Sequence, residues 1–193
     1  IRGLVFYARS MLLSLELGEP GRIACHLAVE AINLVANSGR KSARTYQMLQ
    51  KAKDLAARAK SSHARGVVAY AEGMGHYLMG QWSEAVEAFL RADEIFRDEC
   101  AEMPAEFRTL QACVVHCYWE MGEWQKLQHR TSRALKEAEE RGDLFTMATI
   151  RSGLSIQAHC MRGRPELGLE LADATIEGWT GTSFDVQRYM YHV

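Results

Sequence analysis

The sequence predicts an all-α fold, a right-handed superhelix of about ten helices arranged as consecutive helical pairs. Three observations predict it. The 193 residues contain only three prolines and are rich in Ala, Leu, Glu, Arg, Gln and Met, side chains that lose little freedom in a helix. Glycines stand at Gly39, Gly80, Gly122 and Gly163, at intervals of 41, 42 and 41 residues. Between them, apolar residues recur with the helical period, and strand signals are missing.

The repeat becomes visible when the chain is aligned on those glycines. Two positions after the glycine stand Trp82, Trp124 and Pro165; five after it stand Ala85 and Leu127; twelve after it stand Ala92 and Ala134. Downstream of Gly80, the residues Trp82, Ala85, Val86, Phe89, Ala92, Ile95 and Phe96 fall on one side of a helix. Downstream of Gly122, Trp124, Leu127, Ala134, Leu135 and Ala138 do the same. These patterns predict helices near 2–17, 20–37, 41–60, 63–79, 82–100, 104–121, 124–141, 144–162, 165–179 and 184–193. Each of the four glycines sits where a helix must stop and reverse, which calls for a left-handed residue. The alanines twelve residues on are placed where neighbouring helices approach most closely. Helix pairs at this period are the signature of a solenoid, so 1–193 is expected to be one repeat domain and a fragment of a longer protein.

Bulk properties narrow the function. The formal net charge of −1 offers no field that would draw in nucleic acid or an anionic membrane. No apolar run is long enough to span a bilayer. Five cysteines, an odd number placed mostly inside helical patterns, argue against a secreted disulfide framework and for a reducing cytoplasm. From Arg40 to Arg65 the chain is strongly basic, and from Glu84 to Glu106 it is acidic. The basic residues spread around their helices without interleaved aromatics, the pattern of a solvated face rather than of a nucleic-acid surface.

Motifs that resemble catalytic signatures fail at required positions. Gly73-Met-Gly75 could open a glycine-rich loop, but Leu78 stands at the third glycine. His129-Arg130 is followed by Thr131 instead of an aspartate, and Gly39-Arg-Lys-Ser42 has Leu34 where a phosphate loop needs glycine. Cys113, His116, Cys117 and Glu120 share a helical face, as do His26 and Glu30. One helix supplies only part of a tetrahedral metal set, and buried cysteine packs as a small hydrophobe. No catalytic residue, metal or cofactor is expected.

The segment Gly80-Gln-Trp-Ser-Glu-Ala85, with Phe89, Ala92 and Gly73, resembles the second helix of a tetratricopeptide repeat and the glycine that precedes it. Val115 and Ile156 replace that earlier glycine in the other units, and Gly168 replaces the alanine at Ala85. The period of about 41 exceeds the usual 34 and marks a divergent, longer member. Further positions widen the likeness: Leu17-Gly-Glu-Pro20, Ala28-Val-Glu-Ala31, Cys100, the Arg141-to-Leu144 turn, Trp179 and Phe184-Asp-Val-Gln-Arg-Tyr189. In this order they are similar to the C-terminal helical tract of large bacterial serine/threonine kinases that carry an ATPase module. That resemblance implies a non-catalytic regulatory tract whose partner is a protein or peptide, either separate or the kinase and ATPase modules of its own parent. The alternative is an effector-sensing repeat domain of an ATPase-type transcription activator. Tyr70, Tyr77, His116, Trp119 and Gln157 precede their glycines at matching distances and are the candidates for contacting a partner. Val67, Tyr70, Ala71, Met74 and Tyr77 also form one apolar face, so groove and core both remain open for the tyrosines.

Overall fold

A computed structural model describes residues 2–102 and 104–178. Among these residues the protein is helical without strands: α1 (Arg2–Leu17), α2 (Pro20–Ser38), α3 (Ala43–Ala59), α4 (Ser62–Tyr77), α5 (Trp82–Glu99), α6 (Ala105–Glu120), α7 (Trp124–Arg141), α8 (Leu144–Thr149), α9 (Ser155–Met161) and α10 (Pro165–Glu177). The expected helix over 184–193 lies outside the described residues. No described helix is long and apolar enough to cross a membrane. The chain divides into two compact units, 1–107 and 108–193, with the boundary in the first turn of α6.

The turns show why the helices stop where they do. Gly18, Gly39, Gly80, Gly122, Gly142 and Gly163 all have φ between 64° and 69°. Lys60 occupies the same left-handed region at φ 50°, so the α3–α4 turn uses a glycine slot without a glycine. At Gly80 the glycine N–H donates to the Tyr77 carbonyl, and the next N–H donates to the His76 carbonyl, both at 3.0 Å. The same pair of bonds recurs at Gly122, Gly142 and Gly163. This motif satisfies carbonyls that the end of a helix would otherwise leave bare. Helix starts are secured by side chains: Ser42 caps α3 in a reciprocal box with Thr45, Ser61 caps α4, and Asp143 caps α8.

In the first unit the α4–α5 hairpin is held by an exchange of volume. A Cβ on Gly73 would lie 2.5 Å from the Phe89 ring, and one on Gly66 would lie 2.2 Å from the Phe96 ring. Both glycines and both phenylalanines are seven residues apart, two helical turns. Each ring therefore seats on bare backbone of α4, and Phe89 and Phe96 are fully buried. Beside them, α2 and α3 meet through small residues: Ala24, Ala28, Ala31 and Val35 on one helix, Ala52 and Ala56 on the other, are buried.

In the second unit the same positions carry different sizes. Seven before Gly122 stands Val115 and nine after it Thr131, both buried. Seven before Gly163 stands Ile156, and nine after it the fully buried Ala172. As the residue before the turn grows from glycine to valine to isoleucine, its counterpart shrinks from phenylalanine to threonine to alanine. The last hairpin moves its close approach to Gly168, where a Cβ would meet the Ile156 Cα at 3.3 Å.

The helix predicted over 144–162 is interrupted by a π-helical segment, Ile150–Leu154, between α8 and α9. Its cause is local. Thr146, Thr149, Ser152 and Ser155 are all buried at three-residue spacing. The Thr149 hydroxyl donates to the Phe145 carbonyl at 2.8 Å, and Ser155 reaches the Arg151 carbonyl at 3.5 Å. Hydroxyls bonding back to the preceding turn compete with the helix's own ladder and open it.

Two alanine substitutions check this account by urea unfolding. Gly73→Ala gains helix propensity but overpacks Phe89, and is expected to lose about 1–2 kcal/mol net. At Gly21 an added Cβ would stand 3.5 Å from the Ala59 Cβ, an ordinary contact. Gly21→Ala is therefore expected to gain about 0.5 kcal/mol. Equal effects at the two positions would contradict the close-approach account.

Candidate functional site

The five candidate contact residues fall in both units. On α4, Tyr70 is 9% exposed, with its ring 5.9 Å from that of Phe89. Tyr77, half-buried on the same face, stands edge-on to Trp82 at 5.6 Å and to Phe89 at 6.4 Å. On α6, half-buried Trp119 stands edge-on to Trp124 at 5.2 Å. These pairs form a repeated closure. The aromatic three residues before the glycine meets the tryptophan two residues after it, whose six-membered ring lies over the glycine itself, at 3.6 Å from a Gly80 Cβ and 3.8 Å from a Gly122 Cβ. Edge-to-face pairs of this kind contribute about 0.5–1.5 kcal/mol beyond their burial.

His116 lies one turn before Trp119, half-buried, with Nε2 3.4 Å from Glu120. Burial lowers its pKa from the usual value, and the Glu120 carboxylate opposes that shift. Gln157, on α9, is half-buried, and its Oε1 has no hydrogen-bond partner in the protein.

The cysteine chemistry is set by burial. Cys113 and Cys117 are buried, and desolvation pushes both thiols up to about 12. A thiol shifted this way stays protonated and cannot serve as a nucleophile or metal ligand without being dragged back down. In the first unit, a cleft of about 470 Å³ near the start of α2 contains Cys25, His26 and His63. Cys25 Sγ lies 3.9 Å from His63 Nδ1, but burial, then Glu106, pushes this thiol up to about 11. His26 is tied on both sides: Nδ1 is 2.8 Å from the Arg22 carbonyl, which can only accept, and Nε2 is 3.1 Å from the Ser10 hydroxyl. Among the described residues no three His, Cys, Asp or Glu side chains converge as a metal would require.

The basic stretch from Arg40 to Arg65 is tied into the fold at two points. Lys53 pairs with Glu72 on α4, and Arg65 pairs with Glu99 on α5. Arg44, Lys51, Arg58 and Lys60 face solvent. Exposed pairs like these contribute at most about 1 kcal/mol each.

Two features escaped the sequence reading. One is α1, whose least exposed described side chains are Tyr7, Met11 and Ser14: Ser14 is buried, Tyr7 and Met11 are half-buried, and the Tyr7 hydroxyl donates to the His26 carbonyl. Phe6, Leu12, Leu13 and Leu17 of the same helix are between 58% and 74% exposed. A helical apolar period reads alike whether it faces core or solvent, so only the packing reveals that these side chains are exposed. The other is a cleft of about 300 Å³ between α6 and α7 lined by Tyr118, Gln125, Lys126, His129 and Arg130. Lys126, His129 and Arg130 lie within one helical turn, a visible signal, but Tyr118 joins them only through the fold.

No family profile, curated protein or solved structure matches this chain.

Thiol titration provides a check. Exposed Cys160 is expected to react first with an aromatic disulfide reagent, Cys25 and Cys100 more slowly, and Cys113 and Cys117 only on unfolding. Because Cys113 and Cys117 hold their protons when folded but release them near 9 when unfolded, their contribution to stability is complete below pH 9 and falls as pH rises toward 12. A Cys113→Ala/Cys117→Ala variant should show a shallower alkaline decline in Tm than the parent chain. An unchanged slope would contradict this assignment.

Proposed function

We propose that the chain is a non-catalytic protein-interaction and regulatory repeat module of a bacterial signal-transduction protein, a serine/threonine kinase carrying an ATPase module. The observation that carries the interaction reading is the exposed apolar side of α1, which leaves Phe6, Leu12, Leu13 and Leu17 in solvent. Phe6, Leu13 and Leu17, seven and four residues apart on the helix, fall in one stripe, and an exposed apolar stripe is the mark of a partner site. Small-residue helix contacts support the repeat reading, since hairpins joined in this way present long surfaces rather than a reaction centre. The neutral, desolvated thiols are consistent with a role without covalent chemistry. The kinase–ATPase parentage rests on the sequence resemblance alone.

A second reading, an effector-sensing domain of an ATPase-type transcription activator, draws support from the cleft of about 470 Å³ beside Cys25 and His63, a volume suited to a small ligand.

Calorimetry with the separately produced kinase and ATPase modules of the parent protein tests the first reading. Binding is expected with the unaltered chain and a loss of at least about tenfold with Phe6→Glu/Leu13→Glu, since several desolvated apolar contacts are removed. Equal affinity in the variant would remove α1 from the site. Turnover of ATP by the isolated chain would overturn the non-catalytic assignment.

A further inference from the structure

Helix α1 carries two charges in the middle of its exposed side. Tyr7, Met11 and Ser14, its least exposed described side chains, mark the side that packs on the first unit. At about 3.6 residues per turn, Arg9 and Glu16 fall on the opposite side, and both are exposed. Phe6, Leu13 and Leu17 run along one flank of the Arg9–Glu16 line, and Val5 and Leu12 along the other. Arg9 and Glu16 are seven residues apart, about 10 Å along the axis, too far to pair with each other. Neither has a side-chain partner among the described residues. A cation and an anion placed equally far from the midpoint between Leu12 and Leu13 make this surface complementary to itself.

Building on the reading of α1 as an interaction surface, we propose that its occupant is a second copy of this chain, packed antiparallel as a symmetric α1–α1 pair. A twofold axis passing between Leu12 and Leu13 sets Arg9 opposite the partner's Glu16 and, by the same operation, Glu16 opposite the partner's Arg9. On one flank the same register brings Phe6 beside the partner's Leu17 and Leu13 beside the partner's Leu13. On the other flank Leu12 meets the partner's Leu12. Burying these side chains supplies the attraction, because all four are largely in solvent in the single chain. The two ion pairs are exposed and weak, and their effect is to fix direction and register. A parallel pair would set Arg9 against the partner's Arg9 and Glu16 against the partner's Glu16, which like-charge repulsion disfavours. The kinase and ATPase modules of the parent would compete with the second copy for this surface.

The test is sedimentation of the whole chain over a wide concentration range at low salt, with circular dichroism to show that each variant keeps its helices. A monomer–dimer equilibrium is expected, with a dissociation constant on the order of 10 µM for so small an interface. Arg9→Glu and Glu16→Arg, both at exposed positions, should each weaken the dimer at least about fivefold, because each places like charges opposite one another twice. An equimolar mixture of these two variants should regain the parent's affinity to within about twofold, since the mixed pair restores opposite charges at both contacts. Recovery on mixing is specific to a twofold pair, and a merely structural role for either residue would not produce it. Dimers of equal strength in the parent and both single variants would overturn the proposal, as would variants that stay weak when mixed. A chain that remains monomeric throughout overturns it too. If that monomer still bound the kinase or ATPase module, and lost the binding with Phe6→Glu/Leu13→Glu, α1 would remain an interaction surface with a different occupant.

Discussion

The contact on which the first unit depends is the seating of two phenylalanine rings on bare helix backbone. At Gly73 and Gly66 the distance between α4 and α5 is set by the ring that fills the space a Cβ would take. Glycine inside a helix is unfavourable by about 1 kcal/mol, and burying an aromatic ring outweighs that by a wide margin. The close approach also requires the turn at Gly80 to reverse the chain in one step. Its left-handed glycine and paired N–H bonds, covered by Trp82 against Tyr77, provide that reversal. Turn, aromatic lid and ring-on-backbone contact are therefore parts of one constraint on the hairpin.

The same constraint is met differently in the second unit. There the turn glycines and their hydrogen bonds are retained, and Trp119 with Trp124 repeats the lid. At the positions that hold glycine and phenylalanine in the first unit stand buried Val115 and Thr131, then Ile156 and buried Ala172, and the last hairpin approaches closely at Gly168 against Ile156. Interiors pack near crystal density, so volume lost on one helix must be regained on its neighbour. Backbone reversal admits few substitutes, while side-chain volume can be redistributed. Lys60 in a left-handed turn marks where even the backbone rule is relaxed.

Chemistry in the protein follows from which polar groups the packing encloses. The thiols of Cys113 and Cys117 are buried, and desolvation favours their protonated form. The hydroxyls of Thr149 and Ser155 are buried and bond back to the preceding turn on either side of the π-helical segment. Arg130, 7% exposed, is enclosed in the wall of a polar cleft.

Helix positions and turns were legible in the sequence, because glycine spacing and the apolar period are local properties of the chain. The ranges on both sides of Gly80 and Gly122 and the one after Gly163 match the described helices to within a few residues, whereas 144–162 is broken at Ile150–Leu154. The candidate site was legible only as residue types. Tyr77 and Trp119 carry the same aromatic signal whether they face a partner or close a turn, and their pairing with Trp82 and Trp124 appears only when the hairpin folds. The exposure of the apolar side chains of α1 and the joining of Tyr118 and Arg130 at one cleft belong to the tertiary structure for the same reason. Periodicity determines that a helix has two unlike faces, and packing against other helices decides which of them meets water.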